Sequence, residues 1–100
     1  MRSFSHIAKL VKAKRLGHPK TYSQTELSTL LGYKNGQFIS NVERGLCSIP
    51  LKNLKRLCDV LDITQSDLKA ALLKDFEKTL EAHLYGAAMS DNLVGSELSS

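Results

Sequence analysis

The chain has 100 residues, 42% hydrophobic and 24% charged, with a formal net charge of +4. That suits one small domain with enough apolar side chains for a core, and it excludes a wholly disordered chain. No run approaches the roughly 18 apolar residues of a membrane span.

The N-terminal segment lacks the apolar core and small-residue cleavage site of a secretory signal, so the expected location is the cytoplasm. Cys47 and Cys58 are too few for a disulfide scaffold and read as free thiols. No His or second Cys stands at metal-ligand spacing from either. The charge is uneven. Residues 1–60 carry eleven Lys or Arg against three acids, a net of +8, and residues 61–100 carry three Lys against seven acids, a net of −4. A basic half of this kind suits a polyanion, although a solvated basic surface has the same composition.

In chain order, Ile7, Leu10, Val11 and the stem of Lys14 recur at helical spacing and predict a first helix over about Ser5 to Leu16. Lys9, Lys12 and Arg15 fall elsewhere on its surface. Gly17, His18 and Pro19 end it, with Gly17 as the C-terminal cap and His18 as an exposed loop residue. Ser23 and Glu26 form an S-x-x-E capping box for a second helix, whose buried stripe is Leu27, Leu30 and Leu31. Ser28 is small, as a close helix–helix contact requires. Gly32 ends this helix in the left-handed conformation.

Tyr33 and Lys34 form a turn, and Asn35 is the expected N-cap of a third helix running from about Gly36 to Glu43 or Arg44, closed by Gly45. Gly36 costs about 1 kcal/mol of helix propensity relative to Ala. Alternatively, it lets the backbone come close to another molecule. Pro50 opens a fourth helix over about Pro50 to Leu61, burying Leu51, Leu54, Leu57, Cys58 and Leu61. Thr64 and Asp67 give a second capping box. The fifth helix continues through Leu68, Ala71, Leu72, Phe76, Leu80 and Leu84 to about Tyr85. Residues 5–85 are thus the expected domain, and 86–100 the expected disordered tail.

The stretch Ser23–Gly45 carries the chemistry. Two helices joined by a Gly-containing turn make a helix-turn-helix, whose second helix enters the DNA major groove. Gln37 and Asn41 lie four apart on one face, and their amides match the adenine edge. Ser40 lies beside them. Phe38 either packs inward or offers an apolar edge to a thymine methyl. Gln24, Lys34 and Arg44 flank this helix as candidate phosphate contacts, and Lys12, Lys52 and Lys55 are weaker ones. There is no nucleophile–base pair and no phosphate loop, and His6, His18 and His83 are scattered, so no enzyme or cofactor is expected.

These residues resemble the phage repressor and Cro family, also called the xenobiotic-response-element regulators. The family pattern appears as Gln24, Leu27, Ser28, Leu31 and Gly32, then Ile39, Ser40, Val42, Glu43, Arg44 and Gly45, then Pro50. The segment DVLDITQSDL is similar to the family's close of its fourth helix and start of its fifth. The resemblance covers about Ile7 to Leu73. It implies a five-helix all-α repressor-like domain, here with an extended C-terminal helix. It also implies a transcriptional regulator, often a repressor, that binds a palindromic operator on double-stranded DNA as a homodimer. By the same resemblance Gln24 contacts phosphate, Gln37 and Asn41 read bases, Arg44 contacts the backbone, and Glu43 forms a structural pair with Arg15.

Two departures fall in the loop Gly17–Tyr22 and in the turn before the third helix, each longer than the family's. The second departure concerns the register of Lys34, Asn35 and Gly36.

The long fifth helix supports a second expectation, an antitoxin or adaptor that binds a partner protein through that helix and the tail. Its outer stripe serves a homodimer, the core or a foreign partner.

Overall fold

Where apolar residues recur at three- and four-residue spacing, the chain is helical. The computed structural model describes residues 3–86. Among them are five α-helices: α1 (Ser5–Gly17), α2 (Gln24–Leu30), α3 (Gln37–Glu43), α4 (Leu54–Leu61) and α5 (Gln65–Glu81). A 3₁₀ turn, Leu51–Asn53, leads into α4, and a π-helical turn, Ala82–Gly86, extends α5. No strand occurs among the described residues, so the fold is all-α. None of the helices is long and apolar enough to cross a membrane. The tail expected over 86–100 lies, apart from Gly86, outside the described residues.

The core joins all five helices. Ile7 and Val11 of α1, Leu27 of α2, Ile39 and Val42 of α3, Leu57 and Leu61 of α4, and Leu68 of α5 are all buried, with Ile49 and Ile63 from the loops. α1 lies against both α3 and α5, and α2 packs on α3. The caps follow local chemistry. Ser23 Oγ accepts from Glu26 N at 3.0 Å, and Glu26 Oε1 accepts from Ser23 N at 2.8 Å, which completes the capping box. Gly32 and Gly45 turn the chain at φ +94° and +77°, which glycine adopts without strain.

Several expectations change. Gly17 belongs to α1 and has no positive φ; an extended His18 closes the helix instead. His18 is not an exposed loop residue, because its side chain is only 10% exposed. Its Nδ1 accepts from Lys20 N at 3.1 Å, so Nε2 carries the proton and donates to Asp62 Oδ2 at 3.1 Å. The long first loop is therefore anchored to the end of α4. Arg15 is buried rather than on the surface.

The first turn of the expected fourth helix is 3₁₀, and Leu51 is 85% exposed instead of buried. At Thr64 only half of a capping box forms: Thr64 Oγ1 accepts from Asp67 N at 3.1 Å, without the reciprocal bond. Asp is one methylene shorter than Glu. On α5 the first half of the stripe is buried at Leu68 and Ala71, whereas Phe76, Leu80 and Leu84 are exposed.

One contact is invisible to periodicity. Asp75 of α5 is 3% exposed and accepts from His6 N at 2.8 Å and Ile7 N at 2.9 Å. The N-cap residue Phe4 makes no side-chain cap bond, so a carboxylate from α5 satisfies the free amides at the start of α1. His6 Nδ1 lies 3.0 Å from the same carboxylate.

Candidate nucleic-acid interface

The α3 helix is short, and its position is set by its inner face. Ile39 and Val42 are fully buried. The hydroxyl of Ser28, itself fully buried on α2, accepts from Ile39 N at 3.1 Å. Ile39 N is one of the amides a helix leaves unpaired at its start, so α2 caps α3 directly. Ser28 is thus both small and functional as an acceptor; the sequence revealed only the first property.

The turn between α2 and α3 is held by side chains as well. Tyr33 and Phe38 stack with ring centroids 3.9 Å apart and planes 11° from parallel. The buried Asn53 donates through Nδ2 to Tyr33 Oη at 2.7 Å, tying the turn to the 3₁₀ segment. Phe38 packs against the core with its ring on Tyr33, which favours the inward of its two readings. Sequence reading missed Asn53; a lone Asn in an amphipathic segment carries no signal of its own.

Gly36 precedes α3 as its N-cap, so the helix starts at Gln37 and Asn35 is not the cap. Asn35 Oδ1 instead accepts from Gln37 N at 2.9 Å, one residue ahead of the cap. A Cβ on Gly36 would stand 2.7 Å from Thr25 Oγ1 and 3.1 Å from Thr25 N. The close approach that Gly36 permits is therefore to the backbone of α2.

The exposed side of α3 carries an amide chain. Gln37 Nε2 donates to Asn41 Oδ1 at 2.8 Å, and Asn35 stands at its start through the bond to Gln37 N. Ser40 and Asn41 are half-buried, and Lys34, Gln37 and Arg44 are exposed. The structure thus brings Asn35, Gln37 and Asn41 together, with Lys34 before them and Arg44 after.

A second cluster lies behind α3. Arg15 Nε donates to Glu43 Oε2 at 2.6 Å, and Arg15 Nη2 to Glu43 Oε1 at 2.9 Å. Arg15 Nη1 donates to Tyr22 O at 3.1 Å, and Gln24 Nε2 to Glu43 Oε1 at 3.0 Å. α1, α2, α3 and the first loop all meet here. Burial alone pushes the Glu43 carboxyl up, but hydrogen bonds from Arg15 and Gln24 and the charges of Arg15 and Lys12 outweigh it and hold the group below the usual carboxylate range. The bond to Glu43 raises the Arg15 guanidinium in turn, against the opposing effect of burial. Gln24 is thus tied to Glu43 by one N–H of its amide, which leaves the second N–H and the oxygen.

Both cysteines are free, and burial pushes each thiol up. Among the described residues no three His, Cys, Asp or Glu stand together in a way that could hold a metal ion. Comparison with family models, with curated proteins and with solved structures gives no match.

Proposed function

We propose that the chain is a sequence-specific DNA-binding transcriptional regulator of the phage repressor and Cro type, a repressor that acts as a homodimer on a palindromic operator in the cytoplasm. The observation that carries this reading is the exposed amide chain of Asn35, Gln37 and Asn41. It is borne on a short helix whose inner face is fixed by Ile39, Val42 and Ser28. A groove about 12 Å wide admits one helix, and its base edges demand donors and acceptors of this kind.

In this reading α2 and α3 form the helix-turn-helix. Gln37 and Asn41, with Ser40 beside them, face the bases. Lys34, Arg44 and Gln24 flank the helix and meet phosphate, Gln24 through the amide N–H that Glu43 does not take. Arg15 and Glu43 hold α3 at its angle and do not touch DNA.

Selection from a random duplex library, followed by a salt titration, tests the proposal. The expected result is a palindrome with half-site centres about 34 Å apart, and affinity that falls steeply with salt because phosphate contacts release counterions. No enriched motif together with a flat salt response overturns it. Gln37→Ala should relax base preference, and Arg44→Ala should weaken all sequences alike.

The adaptor reading keeps one specific support, the exposed outer face of α5 and its extension at Leu73, Phe76, Leu80 and Leu84. The homodimer uses the same face, so the two readings differ in what covers it. A purified chain that stays monomeric at all concentrations and on DNA favours the adaptor.

A further inference from the structure

The cluster behind α3 holds more positive charge than it neutralises. Arg15 and Glu43 cancel, and the Glu43 carboxylate is already occupied by two bonds from Arg15 and one from Gln24. Lys12 lies three residues before Arg15 on α1, and residues three apart on a helix are neighbours on its surface. Its charge is felt at Glu43. Yet Lys12 is exposed, and among the described residues no carboxylate forms an ion pair with it. Lys14, by contrast, lies on the other flank of α1, where it lines a cleft with His18 and Leu61. Gln24 brings a complementary group. One N–H of its amide goes to Glu43 Oε1 at 3.0 Å, and the second diverges from that carboxylate. An ammonium attracts an anion without fixing its direction, whereas an amide N–H held by a neighbour supplies direction. We infer that Lys12 and Gln24 together hold one backbone phosphate of the duplex, the ammonium supplying the charge and the amide the directed hydrogen bond. Arg15 does not serve here, because it is buried and bonded to Glu43 and to Tyr22 O. Glu43 thereby gains a second part, since it fixes the amide that meets the phosphate.

The inference rests on the DNA-binding reading, and its test separates the two. The full chain, Lys12→Gln, Gln24→Ala and Lys14→Gln are titrated over a range of salt on a duplex taken from the random-library selection. Each neutralised phosphate contributes about 0.9 to the slope of log affinity against log salt. Lys12→Gln should lose that amount, so its deficit against the full chain shrinks about 3.5-fold between about 50 and 200 mM salt. Gln24→Ala should bind less tightly with the slope unchanged, because its amide carries no charge. Lys14→Gln should keep the slope of the full chain. The duplex is then made with each phosphate replaced in turn by an uncharged methylphosphonate. One replacement should weaken the full chain, and at that same position both Lys12→Gln and Gln24→Ala should lose less than the full chain does. An unchanged slope in Lys12→Gln overturns the inference and leaves the DNA reading standing. So do variants that become insensitive to different phosphates, or an equal loss of slope in Lys14→Gln, which would mark a general effect of net charge. No selected motif together with a flat salt response of the full chain overturns both. Unfolding midpoints measured in parallel show that the variants are folded, as the exposed side chain of Lys12 should allow.

Discussion

At the scale of single residues, Glu43 of α3 ties its helix to both α1 and α2. Its carboxylate receives two bonds from Arg15 and one from Gln24. Glu43→Gln leaves the guanidinium of Arg15, whose side chain is 11% exposed, without its counter-charge. A broken buried pair costs more than the pair contributes, so the expected loss is about 3 kcal/mol in urea unfolding at neutral pH. The pH dependence has a definite sign. The folded Glu43 carboxyl lies below its usual value, so its contribution is complete above the usual carboxylate range and disappears as pH falls through the lowered value. The Glu43→Gln chain should lose that part of its acid sensitivity, and unfolding curves across the acid range would show it.

Gly36→Ala tests a different cause. Gly36 is the N-cap of α3, a position that prefers Gly to Ala, so helix propensity offers Ala no gain. The added methyl also meets Thr25 backbone atoms at 3.1 and 3.2 Å, which cannot rotate away. The net effect should be a loss of about 1–2 kcal/mol by thermal unfolding, and Thr25→Ala should restore only part of it. A stabilised Gly36→Ala would mean that α2 and α3 separate at little cost.

At the scale of elements, two helices begin on groups supplied by a neighbour. Ser28 of α2 caps α3, and Asp75 of α5 caps α1. Asp75→Ala strands two amides at the α1–α5 junction and should cost about 3 kcal/mol in chemical unfolding. Asp75→Asn keeps an acceptor oxygen and should recover part of that loss. Equal loss in both variants would assign the effect to charge rather than to capping.

Helix existence and order were legible, because apolar spacing and local punctuation decide them; the Ser23–Glu26 box and Gly32 needed nothing beyond neighbours in sequence. The borrowed caps were not legible. Asp75 sits within the ladder of Ala71 and Leu72, where an acid is out of place. That anomaly is the only trace that it serves another helix. The stop of α1 and the start of α4 were read less well, since Gly17 stays helical and Leu51 turns outward in a 3₁₀ turn.

At the scale of the whole molecule, the basic half holds α3 and the acidic half holds α5. Most of the exposed large apolar side chains lie on α5, on its extension or in the Leu46–Leu51 segment. We propose this concentration as the contact face. If copies pair through it, Leu80→Glu should shift the chain from dimer to monomer in sedimentation at micromolar concentration. The loss of operator affinity should follow, with the unfolding midpoint of the dilute chain unchanged. An unaltered dimer would move the interface away from α5.

By itself the sequence determined an all-α chain, its helix order, the apolar set at the centre and the polar face of α3. Each of these depends on spacing within one turn or on a cap beside it. The resemblance added the nearness of Arg15 and Glu43. Only the tertiary structure decided that Tyr22 and Gln24 complete that cluster, that Gly36 faces Thr25, that Asn53 holds Tyr33 and that Asp75 starts α1. It also joined Gln37 to Asn41. The spacing put these two amides on one face, but it did not decide that they bond to each other. Contacts between residues far apart in the chain are set by how helices lie on one another, and no local pattern encodes that angle.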